Sequence, residues 1–239
     1  MVDTKFKIGK WAGILSAVFS IVWFVSFSLL EGYKVSPEWT DFSILAHNLN
    51  MVNPIYIYPA LLFSITYVVL LASLHLIVDE RKKLWTLIAL VLGVVYAVAT
   101  NLNYNLEAIS IRMNMANLGS QGLEMLILKN KDSIFGSITS SNNFLVISMF
   151  FTGFIFDKEK LGRWIKLLFF AQIIPLIARM GYNIFNMHEH IYIGANMVFV
   201  VGAPLAFVLM AIWLRKKMRL ITTESLNKEE YVQIPLMFL

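Results

Sequence analysis

The chain has 239 residues, 58% of them hydrophobic and 15% charged, with a mean hydropathy of +0.68, far to the apolar side of a soluble domain. Its net charge of +5 is not a nucleic-acid signal: the basic residues sit in short clusters between apolar runs, where they orient membrane proteins, and no nucleic-acid partner is expected. With no cysteine, disulfides, thiolate metal ligands and a cysteine nucleophile are excluded.

These properties predict an all-α, polytopic membrane helical bundle of about six transmembrane helices, occupying residues 1–220 as one domain and followed by a cytoplasmic tail, 221–239. The first span, 11–30, follows Lys5, Lys7 and Lys10; it is too long for a signal-peptide core and no small-residue cleavage site follows it. The second, 54–78, opens at Asn53-Pro54, with asparagine suited to the cap and proline to the first helical position. Between them Ser36-Pro37-Glu38-Trp39, with Phe42, Leu45, Ala46 and Leu49 at helical spacing, predicts a short helix on the outer interface.

The third span, 84–106, is followed by a long outer loop, 107–133, whose Met and Leu residues among Asn, Gln and Glu predict one or two short capping helices. The remaining spans are 134–156, 164–186 and 191–214. Basic groups before the first span, at Arg81/Lys82/Lys83, at Lys158/Lys160/Arg163/Lys166 and at Arg215/Lys216/Lys217/Arg219 fall at every second junction, which predicts both termini in the cytoplasm. Pairs of small residues such as Gly13/Ala17, Gly93/Ala97 and Gly202/Ala206 are read as ordinary helix packing.

Counting 1.5 Å per residue from the basic ends places Arg179 about 20 Å and Asn183 about 25 Å along the fifth span, where apolar residues belong. The same count puts Asn101, Asn142, Asn143 and Asn196, from three other spans, at similar depth. Arg179 and Asn183 share one helix face, as Asn101 and Asn105 do, and Pro175 can kink the fifth span just before the guanidinium. The expectation is a polar cavity open to the outside. Its ligand set is Arg179, Asn183, Asn101, Asn105, Asn142, Asn143, Asn196 and Glu107, with Glu107 or Glu189 as the ionic partner within snorkelling reach of Arg179.

His188-Glu189-His190 resembles a metal site, but on a helix residues two apart point in different directions, so His188 and His190 are weak candidates and no metal or other cofactor is expected. His75 is read as a snorkelling residue at a cytoplasmic end. No nucleophile elbow, zinc-protease motif, phosphate-cradling loop or carboxylate pair inside the bundle is present.

Tyr104-Asn105, Gln121-Gly122-Leu123-Glu124 and Lys131-Asp132-Ser133-Ile134-Phe135 together resemble a family of uncharacterised multi-span membrane proteins from Gram-positive bacteria. The resemblance implies a bacterial plasma membrane and nothing about chemistry. The leading expectation is a non-enzymatic protein that binds an amphiphilic or anionic small molecule or a membrane lipid, as a sensor, immunity factor or minimal carrier. The alternatives are an intramembrane enzyme on lipid headgroups, with Glu107 or His190 as base, and a subunit whose spans only pack against partners.

Overall fold

The structure, a computed structural model, describes residues 2–32, 54–105, 142–156, 159–185 and 188–233. Among these, all regular structure is helical: α1 (Val2–Gly32), α2 (Pro54–Ile77), a short 3-10 turn (Glu80–Lys82), α3 (Lys83–Asn105), α4 (Asn142–Gly153), α5 (Lys160–Ala171), α6 (Ile173–Phe185) and α7 (Glu189–Gln233). Five stretches are long and apolar enough to cross a membrane: Thr4–Ser26, Ile57–Ile77, Glu80–Leu102, Lys160–Ala178 and Gly194–Thr223. Of the fourth expected span only the part from Asn142 onward is described; the interfacial and capping helices expected in the outer loops, and Glu107, lie outside the described residues.

The bundle is apolar on the outside. On α1 the exposed residues Ile8, Trp11, Leu15, Val18, Val22 and Val25 recur every three or four positions, while Ala12, Ser16, Ser20 and Trp23 turn inward. On α7, Met197, Val201, Leu205, Val208 and Ile212 make a second such stripe. A soluble helix would place this pattern the other way round, so lipid is the solvent that suits these faces.

Neighbouring helices pack in a ring: α1 on α2, α2 on α3, α3 on α4, α4 on α5, α5 and α6 on α7, and α7 back on α1. Glycines permit the closest approaches. A Cβ on Gly13 would stand 3.3 Å from that of Ala211, and one on Gly93 only 2.6 Å from Leu71 Cδ1. Gly13, Gly93 and Gly202 all face neighbouring helices, in keeping with their reading as packing positions.

Aromatic rings fill the middle of the ring of helices, leaving no open channel among the described side chains there. Phe63 on α2 lies 6.0 Å from Trp23, 5.9 Å from Tyr67, 6.1 Å from Tyr96 and 5.7 Å from Phe207, and Phe207 in turn lies 6.1 Å from Phe169. These spacings are those of favourable ring pairs, each contributing ~0.5–1.5 kcal/mol beyond the area it buries.

The basic clusters of the sequence gather at one end of this bundle. Gly9, beside Lys7 and Lys10, abuts Ser73 and Leu214, and Lys217 Nζ reaches Glu159 Oε1 at 3.1 Å, which ties the starts of α1 and α5 to the same level of α7. Two elements differ from the simple span drawing. The fifth span is two helices, divided at Gln172, and the sixth does not stop at 214 but continues as one helix to Gln233, through part of the segment expected to be a solvated tail. Nothing between Arg215 and Gln233 is a glycine or proline, so no residue there breaks the helix.

Candidate functional site

The division of the fifth span follows from Pro175. Proline cannot donate to the carbonyl four residues earlier, Ala171, and its ring crowds that carbonyl. The backbone responds one residue later: Gln172 N–H donates to Phe169 O at 3.2 Å, an i−3 bond, instead of to Leu168. The side chain of Gln172 makes good the deficit, its Nε2 donating to Leu168 O at 2.9 Å. This amide is fully buried and lies against Gly202, where a Cβ would stand 2.7 Å from Nε2; its Oε1 has no hydrogen-bond partner among the described residues. Burying an unpaired acceptor of this kind costs ~1–3 kcal/mol.

One turn beyond the break, toward the end remote from the basic clusters, is a cavity of about 50 Å³. Asn142 and Asn143 enter it from the start of α4, Pro175 and Leu176 from α6, and Asn196 and Phe199 from α7. With a water molecule's share of liquid volume near 30 Å³, this space takes one or two waters or one small polar group, not a whole lipid. Its polar lining is three carboxamides, each carrying both donors and an acceptor, with no carboxylate among the lining residues.

Three of the residues expected at the site, Asn142, Asn143 and Asn196, therefore meet around one space. Arg179 lies one turn past Pro175 on α6 and Asn183 a further turn on; their side chains are outside what the structure describes. Asn101 does not line the cavity. Its amide donates to Ser64 Oγ at 2.9 Å and to Ala97 O at 2.8 Å, joining α3 to α2, and Asn105 spends its amide on Asn101 O at 2.8 Å. A count along the helix gives depth alone and not the neighbour that a side chain faces.

His188 and His190 are exposed at the start of α7, and among the described residues no three His, Asp or Glu side chains gather. His75 is turned to a helix neighbour, its Nδ1 hydrogen-bonded with Thr86 Oγ1 at 2.8 Å, which joins α2 to α3. The sequence reading passed over Gln172. The available signal was a carboxamide inside the apolar run Phe169-Phe170-Ala171-Gln172-Ile173, three residues before a proline.

In the basic-end half, by contrast, the polar groups close on one another. Ser148 donates to Ala89 O at 2.6 Å, which leaves Tyr67 as the donor in its 2.8 Å bond to Ser148 Oγ, so α2, α3 and α4 meet at one hydroxyl.

Comparison with protein-family models, curated proteins and solved structures finds no match to this chain. What stands on the described residues is an all-helical architecture with several helices long and apolar enough to cross a membrane, and a small amide-lined cavity at the end away from the basic clusters.

Proposed function

We propose that the chain is a six-span protein of a bacterial plasma membrane, with both termini cytoplasmic, whose outward pocket receives the polar head of an amphiphilic or anionic small molecule or lipid. The observation that carries this reading is the convergence of Asn142, Asn143 and Asn196, from two helices, on a space of about 50 Å³ beside Pro175. Amides placed at membrane depth are costly unless paired, and they mark sites for polar guests. The cavity takes one small polar group of such a guest, the remainder lying in the surrounding lipid.

Arg179 completes the proposal as the cation one turn from Pro175, with a guanidinium suited to a phosphate or carboxylate. The protein acts as a binder, in sensing, immunity or carriage, and no catalytic step is assigned to it. Native mass spectrometry of the protein in mild detergent tests this. The parent retains a lipid or metabolite of defined mass, and Arg179→Ala and Asn143→Ala/Asn196→Ala lose it while keeping the parent's helical circular dichroism. Equal retention by all three proteins defeats the reading. Because the chain has no native cysteine, single cysteines at Lys7 and Phe185 labelled from either side of the membrane test the assigned sidedness in the same preparations.

A further inference from the structure

At the basic end some cations are matched and others are not. Lys217 is paired with Glu159 at 3.1 Å and lies 5.8 Å from the centre of the Trp213 ring, and Lys83 is paired with Glu80. Lys160 and Arg163 at the start of α5, and Lys216 on α7, are exposed and have no carboxylate partner among the described residues. The Glu159 to Lys217 pair brings them to one level: Lys160 follows Glu159 in the chain and Lys216 precedes Lys217, so these cations flank an acid that is already engaged. On α5 they also stand at the wrong end for the helix itself. Its first turn holds no acid, and Lys160 and Arg163 fall there instead, although the start of a helix favours negative charge.

The surface that continues from these cations along the helices is apolar. Lys160, Arg163, Trp164 and Leu167 have i, i+3, i+4, i+7 spacing and are all exposed, while Gly162, Ile165 and Phe169 on the opposite face are buried. Trp164 is 56% and Leu167 58% exposed, and they lie about 6 and 10 Å along the helix from Lys160. On α7, Lys216 in the same way ends the exposed stripe of Leu205, Val208 and Ile212. Cation, then indole, then aliphatic carbon matches the order in which a phospholipid presents its phosphate, glycerol backbone and acyl chain from water inward. We propose that this face of α5, together with Lys216, binds an acidic phospholipid of the leaflet at the basic end. The phosphate supplies the negative charge that the first turn of α5 lacks, Trp164 covers the glycerol backbone, and an acyl chain lies along Leu167. A soluble anion would leave Trp164 and Leu167 uncovered, so the occupant is the lipid and not its free headgroup. The surface is on the outside of the bundle, at the end opposite the amide-lined cavity, and does not depend on what that cavity receives.

The test is a native mass spectrometry titration of the full chain in mild detergent with diacyl phosphatidylglycerol, diacyl phosphatidylcholine or glycerol 3-phosphate. The titrations are made on the parent and on Asn143→Ala/Asn196→Ala, so that a lipid held at the outer pocket is counted apart. In both, phosphatidylglycerol binds more tightly than phosphatidylcholine and glycerol 3-phosphate is not retained. Lys160→Gln/Arg163→Gln, at exposed positions and with the parent's circular dichroism, weakens phosphatidylglycerol binding by about thirty-fold and leaves phosphatidylcholine unchanged. Lys5→Gln/Arg81→Gln removes the same charge from α1 and from the turn between α2 and α3, across the ring of helices, and weakens binding by less than about three-fold. Equal losses in the two double variants would reduce the effect to the general attraction of a basic protein end for an acidic leaflet and overturn the proposal. Equal affinity for the two phospholipids, or retention of glycerol 3-phosphate, overturns it as well.

Discussion

In the basic-end half of the bundle Tyr67, Ser148 and Ala89 pass a chain of hydrogen bonds across three helices, and His75 and Thr86 do the same for α2 and α3. From the middle of the bundle outward the matching is mixed: Asn101 bonds Ser64, while Trp23 Nε1 and Gln172 Oε1 are buried with no partner among the described residues. Both halves are built from aliphatic and aromatic residues, so hydrophobicity does not separate them. What separates them is how completely the buried polar atoms are matched. The more fully matched half serves as the frame, and the other holds the cavity and the break at Gln172.

The largest effect is expected where the frame is most crowded. Phe63→Ala removes the ring that touches Trp23, Tyr67, Tyr96 and Phe207, and lowers stability by ~3–5 kcal/mol in reversible unfolding from detergent micelles. Phe199→Ala, which enlarges a space that already exists, costs clearly less; equal losses at the two sites erase the proposed contrast. Next comes a pair of glycines. Gly93→Val collides with Leu71 and Tyr67 and destabilises by ~1–3 kcal/mol, while Gly194→Val, with nothing within 4 Å, leaves stability unchanged.

A double-mutant cycle on Tyr67→Phe and Ser148→Ala is expected to show a coupling of ~0.6 kcal/mol and at most ~1.7 kcal/mol, the range for hydrogen bonds between membrane helices. Zero coupling would mean that the three-helix junction is held by packing alone. Smallest of all is the surface pair: Glu159→Gln, which breaks the ion pair to Lys217 where both side chains are partly in contact with solvent, changes stability by less than ~0.5 kcal/mol. A larger loss there would show that the basic end is less solvated than its exposure indicates.

Much of this was written in the chain. Apolar run length gave the helices, Pro54 the start of α2, and Pro175 the interruption of the fifth span. Depth counting brought Asn142, Asn143 and Asn196 to one level, and they do line one cavity. It also assigned Asn101 to that cavity, where the structure pairs it with Ser64 instead, because rise per residue fixes height and says nothing of azimuth. Gln172 escaped for a related reason: its role depends on a glycine thirty residues away, and only tertiary packing brings the two together. The extension of α7 beyond Arg215 was hidden by its charge, which marks a change of surroundings and not an end of the helix.

That α1 packs on α7 has a consequence for biosynthesis. The junction at Ser148 can be completed in the order of translation, since α2 and α3 have already left the ribosome when α4 emerges. The glycine face of α1 is only partly completed this way: Ser73 meets Gly9 early, yet Leu214 and Ala211, which pack on Gly9 and Gly13, arrive some two hundred codons later. Throughout that interval the side of α1 that receives α7 remains unmated.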